Sequence, residues 1–215
     1  MAAPLRYAAM HRIHHRYSDK EFDPHSPKRS LFHAFLGWNW WHSVLFQDRS
    51  SYLKLVPAKH RQNEFLIFCD ENVNLLQVAL AATLYCAGTL LGGEQLALQL
   101  VLYGVFVKTL IVVWAANAVD VINHTAGYRN FETGDHSTNS FLMAALHLGG
   151  AISWHNNHHA RPKYFMVKSN WWEFDVHHMF LKALKSLGAV KTIRVLDQTQ
   201  GARKQVAANE AKVYG

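Results

Sequence analysis

Cysteine is scarce in this chain, which contains two thiols, Cys69 and Cys86, among 215 residues. Two cysteines, one inside the apolar middle of the sequence and one close to it, are too few for a disulfide framework or a thiolate metal site, so we interpret both as structural residues. Charged residues are also few, at 17% of the chain against 50% hydrophobic residues. A chain of this size and composition can bury one sizeable core.

The sequence also lacks a basic helix or an alternation of basic and aromatic residues, which are typical of nucleic-acid binding. Its formal net charge is nevertheless +7, with a pI of about 9.5. We therefore expect no nucleic acid among the partners. A basic face is better suited to anionic lipid headgroups or to an acidic protein.

Charge is nearly absent from the middle of the chain. Residues 75–91 carry no charged side chain, and residues 96–119 carry one, Lys108. As helices these segments reach roughly 26 and 36 Å, about the thickness of a bilayer's hydrocarbon core. The glycine-rich residues 92–95 between them predict a tight turn and hence a transmembrane hairpin. Lys108 and two glutamines leave an alternative open, a pair of buried helices in a soluble helical domain.

The connecting turn lacks basic residues, whereas both flanks are rich in them. Residues 1–71 hold ten Lys and Arg, and residues 120–215 hold eleven. The positive-inside rule then places both flanks in the cytoplasm and predicts an integral, multi-pass membrane protein. We predict an all-α fold, a transmembrane helical hairpin plus a cytoplasmic helical cap. The predicted division is residues 1–71 in the cap, 72–119 in the hairpin, 120–197 in the cap again, and 198–215 as a polar tail.

Tryptophan flanks the apolar segments, as in the interfacial aromatic belt of membrane proteins. The flanking residues are Trp38, Trp40, Trp41, Trp171 and Trp172. Residues 31–45 are apolar and aromatic but too short to span a bilayer, and we predict an interfacial helix there.

Histidine, in contrast, is abundant, and the chain contains two copies of the spacing H-x-x-H-H. The N-terminal box is His11, His14 and His15, and the C-terminal box is His155, His158 and His159. Chance supplies about 0.07 such triplets in a chain of this composition. Positions i, i+3 and i+4 share a helix face, so each box aims three imidazoles at one point. Imidazole binds iron, copper, zinc and nickel, and the boxes predict a metal site on the cytoplasmic side of the membrane.

Histidines outside the boxes are mostly single, and a single histidine is more often a surface or hydrogen-bonded residue than a ligand. We therefore leave His25, His33, His42, His60, His136 and His147 out of the predicted site.

Three segments carry a family resemblance: HRIHHRYSDKEFDPHSP at the start, NHTAGYRNFETGD after the hairpin, and WHNNHHARP near the end. Together with the hairpin between them, they resemble the membrane fatty acid desaturases, especially the acyl-CoA and acyl-lipid delta-9 type. The resemblance covers roughly residues 8–185 in the family's order. It implies an enzyme that introduces a cis double bond into a fatty acyl chain with O2 and two electrons.

The resemblance implies a di-iron site, with O2 as co-substrate, held almost entirely by histidine. The implied ligands are the six box residues and His124, which lies just after the second apolar segment. It further implies a narrow acyl tunnel, for which Trp114 is a candidate lining residue, with packing against a neighbouring helix as the alternative. Because no haem domain is fused to the chain, the implied electron donor is a separate cytochrome b5 or ferredoxin. The implied substrate is a fatty acyl-CoA or an acyl-lipid.

Three departures from the family pattern stand out. The family's first histidine box is missing, so we expect an N-terminally truncated desaturase. Asp120 stands where the family commonly has an Asn that holds an iron-bound water, and it is a candidate for water-mediated or direct metal contact. The acid that often precedes the last box is replaced within residues 151–154, so a ligand imidazole there needs another hydrogen-bond acceptor.

Three functions therefore remain open. The first is a fatty acid desaturase, or a C-terminal fragment of one, with delta-9 regiochemistry. The second is a related histidine-box hydroxylase of lipids or alkyl chains. The third is a non-catalytic remnant that folds in the membrane and binds metal without turnover.

Overall fold

The structure is a computed structural model that describes residues 3–39 and 48–195. These residues are mostly helical, and their β pairing is limited to isolated bridges. A 3-10 helix, Gly37–Asn39, follows α2, and a π-helix, Leu102–Val107, joins α6 to α7. The α-helices are α1 (Pro4–Tyr17), α2 (Leu31–Phe35), α3 (Arg49–Leu53), α4 (Ala58–Arg61), α5 (Glu64–Glu71), α6 (Val73–Val101), α7 (Lys108–Asn123), α8 (Phe141–His147), α9 (His155–Ala160) and α10 (Val176–Ser186).

The chain divides into two compact units, which we call the first unit (Met1–Val121) and the second unit (Ile122–Gly215). The finer predicted division into cap, hairpin and tail stays a prediction. The predicted polar tail, residues 198–215, lies outside the described residues.

The segment predicted as one interfacial helix, residues 31–45, begins instead with α2 and the 3-10 helix. The helix ends early because the backbone at Leu36 (φ −127°, ψ −40°) leaves the α conformation. Trp40 and Trp41 lie outside the described residues, so their predicted role in an aromatic belt stays a prediction. Trp38 is 6% exposed and belongs to the core of the first unit.

The first unit is built around the apolar face of α1. Leu5, Ala9 and Ile13 recur at helical spacing and are buried together with Met10. They pack against Trp38, Tyr52 and Val56. This packing fixes α1, and the N-terminal histidine box with it, because apolar burial is the dominant stabilising term for such a helix.

A distant carboxylate completes the start of α1. The residue before the helix offers no side-chain cap, and Asp70 from α5 takes that role. The backbone N–H groups of Leu5 and Arg6 donate to its Oδ1 at 2.8 and 3.3 Å, and the Tyr52 hydroxyl donates to its Oδ2 at 2.8 Å. Burial and the bond to Asp70 raise the pKa of Tyr52 to about 12. Asp70 therefore ties α1, α3 and α5 together.

The apolar middle of the chain forms one helical stretch, Val73–Asn123, that is long and apolar enough to cross a membrane. Gly92 (φ −161°, ψ 18°) and Gly93 (φ 77°, ψ −170°) interrupt it. A Cβ on Gly88 would lie 2.4 Å from the Cα of Ala97, whereas a straight helix separates two such residues by about 13 Å. The backbone therefore turns sharply at these glycines, inside the predicted turn, and the transmembrane hairpin stays a prediction.

The second unit contains less regular structure. Its apolar core is small, formed by Ala144, Trp154 and Val167 with half-buried neighbours. The Trp154 indole N–H donates to the carbonyl oxygen of Phe174 at 2.7 Å. Most of the other groups buried among residues 122–195 of this unit are polar, and hydrogen bonds between the loops there take the place of a large apolar core.

Candidate metal centre

The N-terminal box lies on the last turns of α1. The Nε2 atoms of His11 and His15, one turn apart, are 3.0 Å from each other. His14 is 1% exposed, and its Nδ1–H donates to both carboxylate oxygens of Asp23 at 3.1 Å. With this proton on Nδ1, a neutral His14 has its lone pair on Nε2, the form that a metal ligand requires.

Asp23 is itself rigidly held. It is fully buried and accepts the backbone N–H groups of Asp19 at 2.8 Å and of His25 at 3.1 Å. These bonds close the loop after α1 around the carboxylate. The loop therefore delivers a fixed acceptor to the back of His14.

His25, which the sequence analysis left out, lies in this cluster. Its ring centroid is 4.3 Å from that of His14, and its Nδ1 lies 3.8 Å from Asp23 Oδ1. Potential ligand atoms of His14, Asp23 and His25 all lie within 4.8 Å of one another. The signal that could have found His25 is the Asp-Pro-His sequence shortly after the box, inside the first of the three segments that carry the family resemblance.

Asp120, near the end of α7, lies beside His25, with its Oδ2 3.4 Å from the His25 Nδ1. The carboxylate also acts on Tyr7, whose pKa is raised to about 12 by burial and by the charge of Asp120. Asp120 thus contributes negative charge next to an imidazole of the first unit. Its direct or water-mediated contact with metal stays a prediction.

The second unit brings three histidines together around the C-terminal box. His155 Nε2 lies 3.2 Å from His124 Nε2 and 3.0 Å from His159 Nε2. The three nitrogens are within 4.8 Å of one another. Box residues one turn apart on α9 therefore meet a histidine that lies 31 residues earlier in the chain.

Thr138 aligns the two chain segments that carry these residues. Its backbone N–H donates to the carbonyl of Asn123 at 2.6 Å, and its own carbonyl accepts the N–H of Asn156 at 3.3 Å. His124 directly follows Asn123, and His155 directly precedes Asn156. Backbone pairing therefore sets the approach of the two imidazoles.

A carboxylate also backs this cluster. The Nδ1–H of His159 donates to Asp135 Oδ2 at 2.7 Å, which leaves the lone pair on Nε2. Burial raises the pKa of Asp135, but the bond and charge of His159 and the hydroxyls of Ser137 and Thr133 outweigh it and hold the pKa well below its usual range. The sequence lacks the acid that often precedes this box, and a ligand imidazole was therefore expected to need another hydrogen-bond acceptor. Asp135 is such an acceptor for His159.

The geometry of the three nitrogens fits a metal ion. With a metal–imidazole bond of about 2.1 Å, two ligands at a right angle are separated by about 3.0 Å. The nitrogen pairs at 3.0 and 3.2 Å in the second unit match this separation. An imidazole set with a carboxylate behind the ring is the usual environment of a first-row transition metal such as iron.

The two remaining predicted residues are His158 and Trp114. His158 is half-buried on α9, with its ring centroid 5.9 Å from that of His155 and 6.0 Å from that of His159. Trp114 is 58% exposed and packs edge-on against Phe35 at 4.9 Å between centroids. Packing of Trp114 against a neighbouring helix, the alternative interpretation from the sequence, is thus present, and its role in a tunnel stays a prediction.

Helical units with imidazole clusters backed by buried carboxylates define a candidate histidine-rich metal centre. Comparison with known proteins gives the family: the fatty acid desaturase family model matches residues 1–185, and the chain belongs to this family. It is 32% identical over 200 residues to an sn-1 stearoyl-lipid 9-desaturase of Synechocystis sp., covering 93% of this chain and 58% of that protein.

Other relatives carry related names. An sn-1 stearoyl-lipid 9-desaturase of Anabaena variabilis is 31% identical, with 92% of this chain and 67% of that protein covered. An icosanoyl-CoA 5-desaturase of Limnanthes douglasii is 27% identical, with 92% and 52% covered. The chain thus spans between about half and two thirds of the length of these relatives.

Proposed function

We propose that this chain forms the metal-binding part of a membrane fatty acid desaturase that introduces a cis-9 double bond into an acyl chain. The observation that carries the proposal is the convergence of imidazole Nε2 atoms at metal-ligand spacing in the second unit, with Asp135 behind His159. The names of the stearoyl-lipid 9-desaturases support the regiochemistry and the lipid-linked substrate. An acyl-CoA is the alternative carrier, supported by the icosanoyl-CoA 5-desaturase.

The proposed metal is a pair of iron ions. When bound, iron supplies the oxidising chemistry that removes hydrogen from an unactivated alkyl chain. The overall reaction takes one hydrogen from each of two adjacent CH2 groups and consumes O2, two electrons and two protons to give the double bond and two waters. The proposed ligands are His11, His14, His15, His124, His155, His158 and His159.

The protein's own residues prepare these ligands. Asp23 and Asp135 accept the Nδ1 protons of His14 and His159, so both rings present Nε2 in the ligating form. Each ring is also fixed in orientation, because its carboxylate is held by further donors. Asp120 is proposed to accept from a metal-bound water or to add charge near His25.

A membrane location is part of the proposal. In the most apolar window of Val73–Asn123 only 11% of the residues are buried, the reverse of a core helix in a soluble domain. The break at Gly92 and Gly93 supports a helical hairpin that enters and leaves the bilayer on one side. The excess of Lys and Arg on both flanks supports a cytoplasmic location for both.

The electron donor is proposed to be a separate acidic carrier, a cytochrome b5 or a ferredoxin. The formal charge of +7 supports this choice, since opposite charges accelerate the encounter of soluble carriers with a basic surface.

The test is fatty acid analysis in a host strain without its own cis-9 desaturation. The chain is expressed alone and together with the part of the Synechocystis relative that it does not match, and total fatty acids are analysed by gas chromatography with mass spectrometry. A new cis-9 double bond is expected in at least one arrangement. Its absence from both would overturn the proposal. Matched variants His155→Ala and His60→Ala are expected to abolish and to preserve the product, respectively.

A further inference from the structure

The helix that carries the C-terminal box is too short to hold its own position. α9 has six residues, and its N-cap residue, Trp154, supplies no side-chain cap. The N–H of Asn157 in the first turn donates instead to Asn139 Oδ1 at 3.2 Å. One and a half turns give few internal hydrogen bonds, so such a helix depends on contacts from outside. The orientation of His155, His158 and His159 therefore depends on whatever fixes the opposite face of α9.

That opposite face is formed by Asn156 and Asn157, both fully buried. Asn156 Oδ1 accepts the backbone N–H groups of Asn130 and Phe131 at 2.8 and 2.9 Å. Asn157 Oδ1 accepts the side-chain amides of Asn130 and Asn139, both at 2.9 Å. The two asparagines thus attach the back of the histidine helix to the loop that follows His124.

One carboxylate joins this loop to the box. Glu173 is fully buried and lies 14 residues beyond His159 in the sequence. Both of its oxygens are used. Oε1 accepts from Tyr128 Oη at 2.7 Å, Asn130 Nδ2 at 2.7 Å and Asn170 Nδ2 at 3.2 Å, and Oε2 accepts from Asn157 Nδ2 at 2.9 Å, the Asn170 backbone N–H at 3.0 Å and the Ser169 backbone N–H.

Every one of these partners donates a hydrogen bond to the Glu173 carboxylate. Burial raises the pKa of Glu173, but the backbone N–H groups of Ser169 and Asn170, with Tyr128 and Asn130, outweigh it and lower the pKa below its usual value. An amide of the same shape offers only one acceptor oxygen and turns an NH2 group toward donors. A buried donor facing donors costs its full desolvation, so glutamine is not a conservative replacement here.

We propose that Glu173 is a positioning residue for the metal centre, acting through Asn157 and Asn130 to fix the rotation of α9 and hence the direction of the box imidazoles. This rests on the proposed metal-binding function of the second unit. Glu173 accepts hydrogen bonds from Asn130 and from Asn157 and so joins the segments that carry them, while Asp135 fixes the ring of His159.

The experiment measures Co²⁺ binding by the full chain in detergent, with the visible absorption bands of bound Co²⁺ as the readout of ligand geometry. Glu173→Gln is expected to lower the Co²⁺ affinity about tenfold and to change the band pattern, as loss of an outer support of a metal site does. Amide exchange of residues 155–160 in the metal-free protein is expected to accelerate in the same variant.

Two controls separate positioning from general destabilisation. Val167→Ala removes volume from the apolar core of the second unit and is expected to lower the thermal midpoint without changing the Co²⁺ spectrum. Glu132→Gln changes a glutamate whose side chain is 91% exposed and is expected to change neither. If Glu173→Gln does not fold, Tyr128→Phe removes a single donor, and about a threefold loss of affinity is expected.

The outcomes distinguish the two proposals. A wild-type chain that binds no Co²⁺ overturns the metal-binding function and this inference with it. A wild-type chain that binds Co²⁺, with Glu173→Gln giving the same affinity and spectrum, overturns the role of Glu173 alone. An affinity loss in Val167→Ala equal to that in Glu173→Gln also overturns it, because stability would then explain both.

Discussion

The helices that carry the two histidine boxes are held by opposite kinds of contact. α1 has 14 residues and buries an apolar stripe against Trp38, Tyr52 and Val56. α9 has six residues and is held by asparagine side chains and the buried carboxylate of Glu173. A long helix can bury enough apolar surface to fix itself, whereas a short one needs directional hydrogen bonds.

This difference predicts how the stability of each unit should respond to amino-acid substitutions. An apolar core tolerates polar substitutions at its edge but is sensitive to the truncation of a buried side chain. A polar network is insensitive to small volume changes at a distance but sensitive to one mismatched donor or to a shift of the backbone that carries it. The predictions below exploit this contrast, beginning with the largest expected effect.

Gly149→Ala should disrupt the second unit most strongly. Gly149 has φ +82°, and a Cβ there would lie 2.1 Å from the carbonyl oxygen of Phe174, next to Glu173. Backbone strain and overpacking together predict a loss of roughly 2–6 kcal/mol in the local stability of this unit. Hydrogen exchange of peptides covering residues 128–140 measures it.

Gly134→Ala is the matched control. Gly134 has a similar φ, +76°, but a Cβ there meets nothing within 4 Å. Only the left-handed backbone cost of about 1–2 kcal/mol is expected. Equal losses for the two glycines would contradict the importance of the close approach at Phe174.

Met10→Ala tests the apolar anchor of the first unit. Met10 is 2% exposed and lies in the core formed by α1. Truncation of a buried side chain of this size is expected to reduce stability by about 2–5 kcal/mol. Thermal unfolding in detergent measures the loss, and the exposed Arg12→Ala on the same helix should change it by less than about 0.5 kcal/mol. A similar shift for both variants would argue against apolar anchoring of α1.

The position of each histidine box on a helix, and the glycine break between the apolar segments, were predictable from the sequence because their signals are local. The spacing i, i+3, i+4 fixes a common helix face before any tertiary contact forms. Gly92 and Gly93 similarly mark a break that the backbone needs. Family membership also followed from short motifs, and the match over residues 1–185 confirms it.

The supports of the boxes could not be predicted in this way. Asp135 and His159 are 24 residues apart, and Asp70 reaches Leu5 across 65 residues. Such pairings depend on the path of loops, and periodicity contains no information about that path. His25 was missed for a related reason, since a single histidine acquires a distant partner such as Asp120 only through folding.

Asp135→Asn tests the carboxylate behind the C-terminal box. The amide can still accept from the Nδ1–H of His159, but it loses the charge that makes this ring a strong ligand, and its NH2 group faces the backbone N–H of Ser137. A reduction of metal affinity by about 10–100-fold is expected. Titration with Fe²⁺ under anaerobic conditions measures it, and the exposed Glu132→Gln serves as the control. Affinity within twofold of wild type would mean that Asp135 does not tune the site.

Asp70→Asn should have the smallest effect, although Asp70 is a buried carboxylate that receives donors like Glu173. The reason lies in its partners. The amide that replaces the carboxylate can keep its oxygen toward the N–H groups of Leu5 and Arg6, while the Tyr52 hydroxyl can rotate to accept from the new NH2 group. The loss is then mainly the charge at the start of α1, about 0.3–1 kcal/mol. Thermal unfolding of this variant beside Glu173→Gln makes the comparison direct: a hydroxyl partner can reverse its role, and a backbone N–H cannot. An Asp70→Asn effect as large as that of Glu173→Gln would contradict this explanation.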